Sequence, residues 1–197
     1  MKVILASRSP RRREILAGLG VRFEIVSADT DESSSIQDPS ELVRELALRK
    51  GRATRALLQR EGISLENTLI IAADTVVASD GVVLGKPKDE EDAVSMLSRL
   101  SGRAHKVISG VALLTADREV AAAEETAVHF GVISDEEIHR YVASGEPMDK
   151  AGAYAVQDHA SVWVERIEGD YFNVVGLPVY RLERLLRGFL GCSLLDL

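Results

Sequence analysis

Three consecutive arginines open the first predicted helix, where cations are least favourable. Ser9 is a natural N-cap and Pro10 suits the first helical turn. Arg11, Arg12 and Arg13 follow, although each exposed cation at a helix N-terminus is unfavourable by roughly 0.3–1 kcal/mol. A bound anion would reverse that sign, because free N–H groups, the helix dipole and guanidinium groups would all point at it. The pattern favours a phosphate site over its alternative, a solvated arginine run.

A single carboxylate, Asp74, interrupts the most apolar run of the chain. Residues 69–78 are predicted to form a central strand that is buried on both faces. A buried carboxylate needs a metal, a cation or convergent hydrogen-bond donors, because without them its burial is strongly unfavourable. Asp74 is therefore a catalytic group at a strand end, a structural aspartate bound by loop amides, or an exposed residue beyond the strand.

Two further segments have weaker signals for polyanion and metal binding. The Gly-Lys-Pro turn at residues 85–87 constrains the backbone and can aim the Lys86 ammonium. The acidic loop that carries Asp29, Asp31 and Glu32 is either a solvated loop or a magnesium site, since hard cations bind carboxylate oxygens.

A later segment has the groups needed to recognise a nucleobase. Gly152, within Asp149–Tyr154, indicates close approach of two backbones. Gln157 follows with an amide that can donate to and accept from a base edge. A surface glutamine would look the same in the sequence, so both interpretations stay open.

The composition is that of an acidic globular protein. Its 197 residues are 46% hydrophobic and 28% charged, with a net charge of −7. A long polyanion demands a positive surface, so nucleic acid is not expected as a partner, whereas a local basic pocket would still accept a small polyanion. No apolar run approaches membrane-spanning length, and the single Cys192 is expected to be a passive thiol. We expect a cytoplasmic protein with no membrane partner.

Several familiar catalytic signatures are absent from the sequence. There is no Walker A sequence, no Gly-x-Ser-x-Gly and no Gly-x-Gly-x-x-Gly. The four histidines also lack metal-ligand spacing: His105, His129, His139 and His159. A serine nucleophile and a dinucleotide-binding fold are therefore unsupported.

The patterning predicts an α/β fold with a mixed sheet flanked by helices. Strands are expected at 3–6, 23–26, 69–78, 107–115, 120–130 and 161–166, and helices at 10–18, 39–61, 89–100, 134–141 and 178–190. Turn signals at Asp80-Gly81 and Asp117-Arg118 indicate hairpins, which argue against a purely parallel sheet. The second helix is expected to bury Leu42, Leu46, Ala53, Leu57 and Leu58.

Six segments, in this order, resemble the Maf family of nucleotide pyrophosphatases. They are Ala6-Ser7-Arg8-Ser9-Pro10-Arg11-Arg12, Ala73-Asp74-Thr75-Val76-Val77, Gly85-Lys86-Pro87, Leu100-Ser101-Gly102-Arg103, Glu146-Pro147-Met148-Asp149-Lys150-Ala151-Gly152 and Gly176-Leu177-Pro178. The resemblance covers nearly the whole chain. It implies one Maf/ITPase-like domain over residues 1–197, with two lobes around a cleft, and commonly a homodimer.

The resemblance also implies a reaction and roles for individual residues. The reaction is hydrolysis of a nucleoside triphosphate between the α and β phosphates. Ser7, Arg11, Arg12, Lys50 and Lys86 would bind the substrate. Glu32 and Asp74 would bind Mg²⁺ or Mn²⁺, with Asp74 also acting as the general base, and Asp31 is the alternative to Glu32.

Within the family, this chain is similar to the subgroup that prefers dTTP and UTP. In that subgroup Arg11, Thr75 and Gln157 are linked to base choice. Asp158 stands where glycine is usual, which bears on base preference, and Arg8 stands where a small residue or Gln is common.

Two other functions are alternatives to a dTTP and UTP pyrophosphatase. One is a pyrophosphatase for 7-methyl-GTP or another modified nucleotide. The other is a nucleotide-binding regulator of cell division.

Overall fold

The computed structural model describes residues 1–197 and confirms a mixed α/β fold with a seven-stranded sheet. The hydrogen-bonded strand order is β2-β1-β3-β5-β6-β7, and β4 pairs with β3. The strands are β1 Lys2–Leu5, β2 Glu24–Ile25, β3 Thr68–Ser79, β4 Val82–Leu84, β5 Ala104–Leu114, β6 Glu119–Phe130 and β7 Val164–Glu168. The sheet is mixed because β1 runs parallel to β2 and β3, whereas β3–β4 and β6–β7 are antiparallel.

Six α-helices accompany the sheet. They are α1 Pro10–Gly18, α2 Pro39–Arg60, α3 Glu90–Leu100, α4 Asp135–Ala143, α5 Tyr171–Val175 and α6 Val179–Leu190. Short 3₁₀ turns occupy Glu146–Asp149, Ala151–Ala153, His159–Trp163 and Leu194–Asp196. No helix has both the length and the apolar character needed to cross a membrane.

The chain divides into two compact units. The first unit comprises Met1–Asp74, Ser109–Glu124 and Gly176–Leu197. The second unit comprises Thr75–Ile108 and Glu125–Val175.

In the first unit, the apolar run of β3 is buried on both faces, as its sequence predicts. Alternate residues belong to two clusters: Leu69, Ile71 and Ala73 pack with α1 and α6, whereas Ile70 and Ala72 pack with α2. Side chains of a strand alternate between its faces. Asp74 therefore falls on the face that α2 covers.

The α2 helix buries a face slightly rotated from the predicted one. Leu46 and Leu58 are buried as expected, but Leu42, Ala53 and Leu57 are only partly buried. The remaining buried positions are Val43, Ala47, Gly51 and Thr54. Small residues fill this stripe because the helix backbone lies close to the sheet. The size of an apolar side chain is therefore a poor guide to the buried face of this helix, where Gly51 and Thr54 are buried and Leu42 and Leu57 are not.

Gly110 on β5 shows how close α2 lies. A Cβ atom on Gly110 would be 2.2 Å from the carbonyl oxygen of Val43 and 2.9 Å from the backbone nitrogen of Arg44. These are backbone atoms, so no side-chain rotation relieves the overlap. The position requires glycine for packing reasons.

We predict that Gly110→Ala lowers the free energy of unfolding by about 3 kcal/mol or more, because α2 must move away from the sheet. Gly188→Ala is the matched control, since Gly188 lies in the last turn of α6 and a Cβ atom there meets no atom within 4 Å. Alanine at position 188 should leave stability unchanged or raise it by about 0.5–1 kcal/mol. Equal urea midpoints for the two variants would contradict the packing account.

The second unit has a core built around an aromatic cluster, which consists of His105, Phe130, Tyr141, Tyr154 and Trp163. Phe130 makes edge-on contacts with His105 and with Tyr154, with ring centroids 4.8 Å apart in both cases. His105 is 3% exposed, and its Nε2 lies 2.6 Å from the Tyr154 hydroxyl. Burial, with a smaller contribution from nearby His129, lowers the pKa of His105 to about 4. The imidazole is therefore neutral at pH 7.

The approach to β7 differs from the prediction. Residues 161–163 belong to a 3₁₀ turn, His159–Trp163, and the strand begins only at Val164. The alternating pattern of Ser161–Arg166 suggested a strand throughout. In the structure Val162 is exposed while Trp163 is buried in the aromatic cluster, so the turn also produces an alternation of exposure.

We predict that lowering the pH from 7 to 5 destabilises the wild type by about 2 kcal/mol more than it destabilises His105→Phe. The unfolded histidine takes up a proton near pH 6.5, whereas His105 in the folded protein does so only near its lowered pKa of about 4. Stability therefore falls as the pH drops through that interval. Urea unfolding at both pH values measures the effect. His139→Gln, at an exposed site, should keep the wild-type pH dependence, and the same dependence in His105→Phe would refute the assignment to His105.

Candidate active site

Asp74 is buried and paired with a lysine from α2. Its side chain is 9% exposed, and Lys50 Nζ donates a hydrogen bond to its Oδ1. Of the three sequence-based interpretations, exposure beyond the strand is excluded, because β3 continues to Ser79. Lys50 supplies the positive charge that a buried carboxylate requires.

Lys50 also contacts a second carboxylate. Its Nζ lies 2.7 Å from Glu32 Oε1, and the Glu32 side chain is 58% exposed. Two carboxylates, one on a buried strand and one on the acidic loop, therefore converge on one ammonium. Lys50 reaches both because it falls on the sheet-facing side of α2, one turn after Ala47 and one turn before Thr54.

Arg12 links α1 to two buried backbone carbonyls. Its Nε donates to Gly176 O at 2.8 Å, and its Nη1 donates to Ala73 O at 2.8 Å and to Ser7 Oγ at 3.2 Å. The first bond spans 164 residues of sequence, so Arg12 fixes the start of α1 against the segment that precedes α6. The second holds its guanidinium against the residue before Asp74.

The electrostatic surroundings of Arg12 connect the arginine run with the carboxylates. Dense packing desolvates the guanidinium and lowers its pKa, although the side chain keeps some accessible surface. The negative charges of Asp74 and, more weakly, Glu32 raise the pKa of Arg12, whereas the positive charge of Arg11 lowers it further. The guanidinium remains charged at neutral pH. Positive and negative groups are thus grouped at one place in the first unit.

The start of α1 differs from the starts of α3 and α4. Asp89 and Ser134 cap those helices with side-chain hydrogen bonds, and acidic residues fill both first turns. Ser9 makes no such bond to α1, whose first turn has no acidic residue. Instead, the Ser9 N–H donates to Oγ of the buried Ser7. The first turn of α1 therefore carries arginines where those of α3 and α4 carry carboxylates.

The acidic loop uses its carboxylates in different ways. Asp31 accepts hydrogen bonds from the N–H and Oγ of Ser33, which lower the pKa of Asp31. Asp29 forms an exposed ion pair with Arg8 at 2.9 Å. Glu32 is the residue of this loop that contacts Lys50.

Two of the three base-selecting candidates, Thr75 and Gln157, and the remaining phosphate-binding candidate, Lys86, lie in the second unit, whereas Arg11 lies in the first. Thr75 is half-buried, whereas Lys86 and Gln157 are exposed. Gly152 N–H donates to Gly85 O at 2.9 Å, so the turn that carries Lys86 is held by the Lys150–Tyr154 segment.

Lys150 is a buried lysine of the second unit that sequence reasoning did not select. It is 7% exposed, and its Nζ donates to Glu146 O at 2.6 Å and to Asp149 Oδ1 at 2.8 Å. Asp158 Oδ2 lies 3.9 Å away. The sequence offered only the adjacent Asp149-Lys150 pair between two turn-forming residues, Pro147 and Gly152.

Arg12→Lys is predicted to lower the free energy of unfolding by about 2 kcal/mol, because one ammonium cannot replace the bonds to both Gly176 O and Ala73 O. Thermal and urea unfolding measure the change. Arg13→Lys, one residue later and exposed, should alter stability by no more than about 0.5 kcal/mol. A fully stable Arg12→Lys variant would show that these bonds contribute little.

Comparison with known proteins shows the family. A family model described as Maf-like protein matches residues 2–189. A dTTP/UTP pyrophosphatase of Symbiobacterium thermophilum is 48% identical, over 95% of this chain and 94% of the relative. One of Caldanaerobacter subterraneus is 49% identical, over 97% and 90%. One of Carboxydothermus hydrogenoformans is 50% identical, over 95% and 98%.

A solved structure supports the fold independently. The Staphylococcus aureus Ham1 protein aligns with a TM-score of 0.52, covering 96% of this chain and 100% of its own. Sequence identity is 13%, so this similarity concerns the fold alone.

Proposed function

This chain belongs to the Maf-like protein family, and we propose that it is a hydrolase that cleaves dTTP and UTP to the nucleoside monophosphate and pyrophosphate. Three relatives that bear the name dTTP/UTP pyrophosphatase match 95–97% of the chain. The observation that carries the proposal is the grouping of Arg12, Lys50 and Asp74 in the first unit.

The grouped cations suit a triphosphate substrate. Phosphoryl substitution needs little covalent work from the protein; it needs alignment and neutralisation of the phosphate charge. Ser7, Arg11, Arg12 and Lys50 are the groups that we assign to phosphate binding in the first unit, together with the amides at the start of α1. Lys86 is a further cation that we assign to phosphate binding.

The donor set fits a divalent metal, Mg²⁺ or Mn²⁺. Glu32 and Asp74 both contact Lys50 Nζ, so two carboxylates already converge on one positive centre. Mg²⁺ is commonly bound by one or two carboxylates together with substrate phosphates. When bound, such a metal would polarise a phosphate oxygen and lower the pKa of its coordinated water.

Asp74 is assigned as the general base. In the proposed step its carboxylate accepts a proton from the attacking water as the water oxygen bonds to phosphorus. The bond between that phosphorus and the α–β bridging oxygen breaks, which yields the monophosphate and pyrophosphate. In the protein without substrate, Lys50 holds the same carboxylate through a hydrogen bond to Oδ1.

Base choice is assigned to Arg11, Thr75 and Gln157. The exposed Gln157 amide can accept a hydrogen bond from N3–H of thymine or uracil and donate one to a neighbouring carbonyl oxygen. Asp158 stands next to it, and its carboxylate lies 3.9 Å from Lys150 Nζ. This lysine balances the additional negative charge beside Gln157.

We predict that the purified chain releases pyrophosphate from dTTP and UTP in the presence of Mg²⁺. The Asp74→Asn variant should fold, but its kcat should fall at least about 100-fold, because the amide cannot accept the proton from water. Enzyme-coupled pyrophosphate detection and circular dichroism make the two measurements. Asp80→Asn, which alters an exposed carboxylate paired with Arg103, is the control and should keep full activity.

Three results would contradict different parts of the proposal. Orthophosphate as the first product would reject the cleavage position. Full turnover by Asp74→Asn would remove Asp74 from its role while leaving the reaction in place. Faster turnover of 7-methyl-GTP than of dTTP and UTP would instead select the alternative substrate class.

A further inference from the structure

The hydrogen bond between His105 and Tyr154 is an unusual feature for an apolar core. Tyr154 is 5% exposed and His105 is 3% exposed, and both lie among aromatic rings. The neutral imidazole has one N–H, and His105 Nδ1 has no protein partner. One proton of the pair therefore lacks an acceptor in either tautomer. Such burial is unfavourable relative to an apolar pair of the same shape, so stability alone gives no reason for these two residues.

The segment immediately before Tyr154 has a backbone that needs external support. Gly152 has φ 68°, and Ala153, which is not glycine, has φ 63°. A side chain in this left-handed region is unfavourable by about 1 kcal/mol or more, and persists only where surrounding contacts hold it.

Two contacts at Gly152 and one at Tyr154 provide that support. Gly152 N–H donates to Gly85 O at 2.9 Å, and a Cβ atom on Gly152 would lie 2.7 Å from a Val77 methyl carbon. The side chain of Tyr154 then enters the core and bonds to His105. The Gly152–Tyr154 segment therefore contacts the β3 strand, the turn that carries Lys86, and the β5 strand that carries His105.

Gln157 is separated from this anchor by only two buried residues. Ala155 and Val156 are 6% exposed, and a turn closed by Asp158 N–H to Ala155 O brings Gln157 to the surface. A shift at Tyr154 is transmitted along this short, packed stretch because buried side chains cannot move independently. The position of the Gln157 amide thus depends on Tyr154.

We propose that His105 and Tyr154 are positioning residues for base recognition. Their hydrogen bond fixes the position of the Lys150–Gln157 segment. Through the contact between Gly152 and Gly85, it also fixes the position of the turn that carries Lys86. The inference rests on the proposed function and adds to it two residues that need not touch the nucleotide. The incompletely hydrogen-bonded pair lowers the stability of the fold, but it selects one position for the Tyr154 side chain. Buried polar contacts can select a single packing arrangement in this way.

Tyr154→Phe is the test variant, because it removes the hydroxyl and keeps the ring within the aromatic cluster. We expect KM for dTTP and UTP to rise about five- to tenfold, the size associated with loss of one hydrogen bond, with kcat changed less than about twofold. The preference for dTTP over dGTP should fall by a similar factor. Adding His105→Phe to Tyr154→Phe should restore the free energy of unfolding, because two apolar rings leave no buried polar atom without a partner. It should not restore the preference for dTTP over dGTP, because no hydrogen bond then fixes the position of the Lys150–Gln157 segment.

Ile138→Val is the matched control for loss of stability. Ile138 is 1% exposed in the same core, and its truncation should lower the free energy of unfolding by about 1 kcal/mol without touching the pair. It should leave KM and nucleotide preference at wild-type values. A shift in Ile138→Val equal to that in Tyr154→Phe would attribute the effect to general destabilisation and overturn the inference.

Hydrogen exchange of the free protein separates the inference from the proposed function. Amides of residues 151–157 should exchange faster in Tyr154→Phe than in the wild type and in Ile138→Val. Unchanged exchange would overturn the positioning role directly. A wild type that releases no pyrophosphate from any nucleotide would overturn the proposed function, whereas normal wild-type turnover with unchanged KM and preference in Tyr154→Phe would overturn the inference alone.

Discussion

The structure of the first unit depends on how a carboxylate is accommodated on a buried apolar strand. Asp74 continues the face of β3 that carries Ile70 and Ala72, where an unpaired charge would be strongly unfavourable. Lys50 on α2 forms an ion pair with the Asp74 carboxylate, and the positive charge of Arg12 on α1 also attracts it. Small buried residues along α2 let the helix lie close to the sheet, and from this helix Lys50 contacts Asp74.

The same charges connect fold with function. Arg12 uses its donors on protein carbonyls, so it orders the start of α1 as well as adding positive charge there. Lys50 is shared between Glu32 and Asp74, which gives the two carboxylates a common centre. An arrangement in which cations and carboxylates are balanced against each other can exchange internal partners for a phosphate and a metal without leaving a buried charge unpaired.

Much of this was predictable from the sequence, because strong local signals coincided with the fold. The β3 run, the helices that begin near residues 89 and 134, and the Asp80-Gly81 turn were each predicted correctly. The rotated face of α2 and the 3₁₀ turn before Val164 were not, since close packing and the burial of Trp163 override local propensity. Lys50 entered through family resemblance, and Lys150 and the His105–Tyr154 pair were missed, because each acquires its partners only in the folded chain.

The most direct test of the charge arrangement at Asp74 is a crystal structure with Mn²⁺ and a dTTP analogue that has a non-hydrolysable α–β bridge, using the anomalous signal of manganese to locate the metal. We expect Mn²⁺ bound by Asp74 and Glu32, with Lys50 Nζ moved from between the carboxylates onto a phosphate oxygen. Manganese and phosphates bound away from Asp74, with the Lys50 contacts unchanged, would contradict the account.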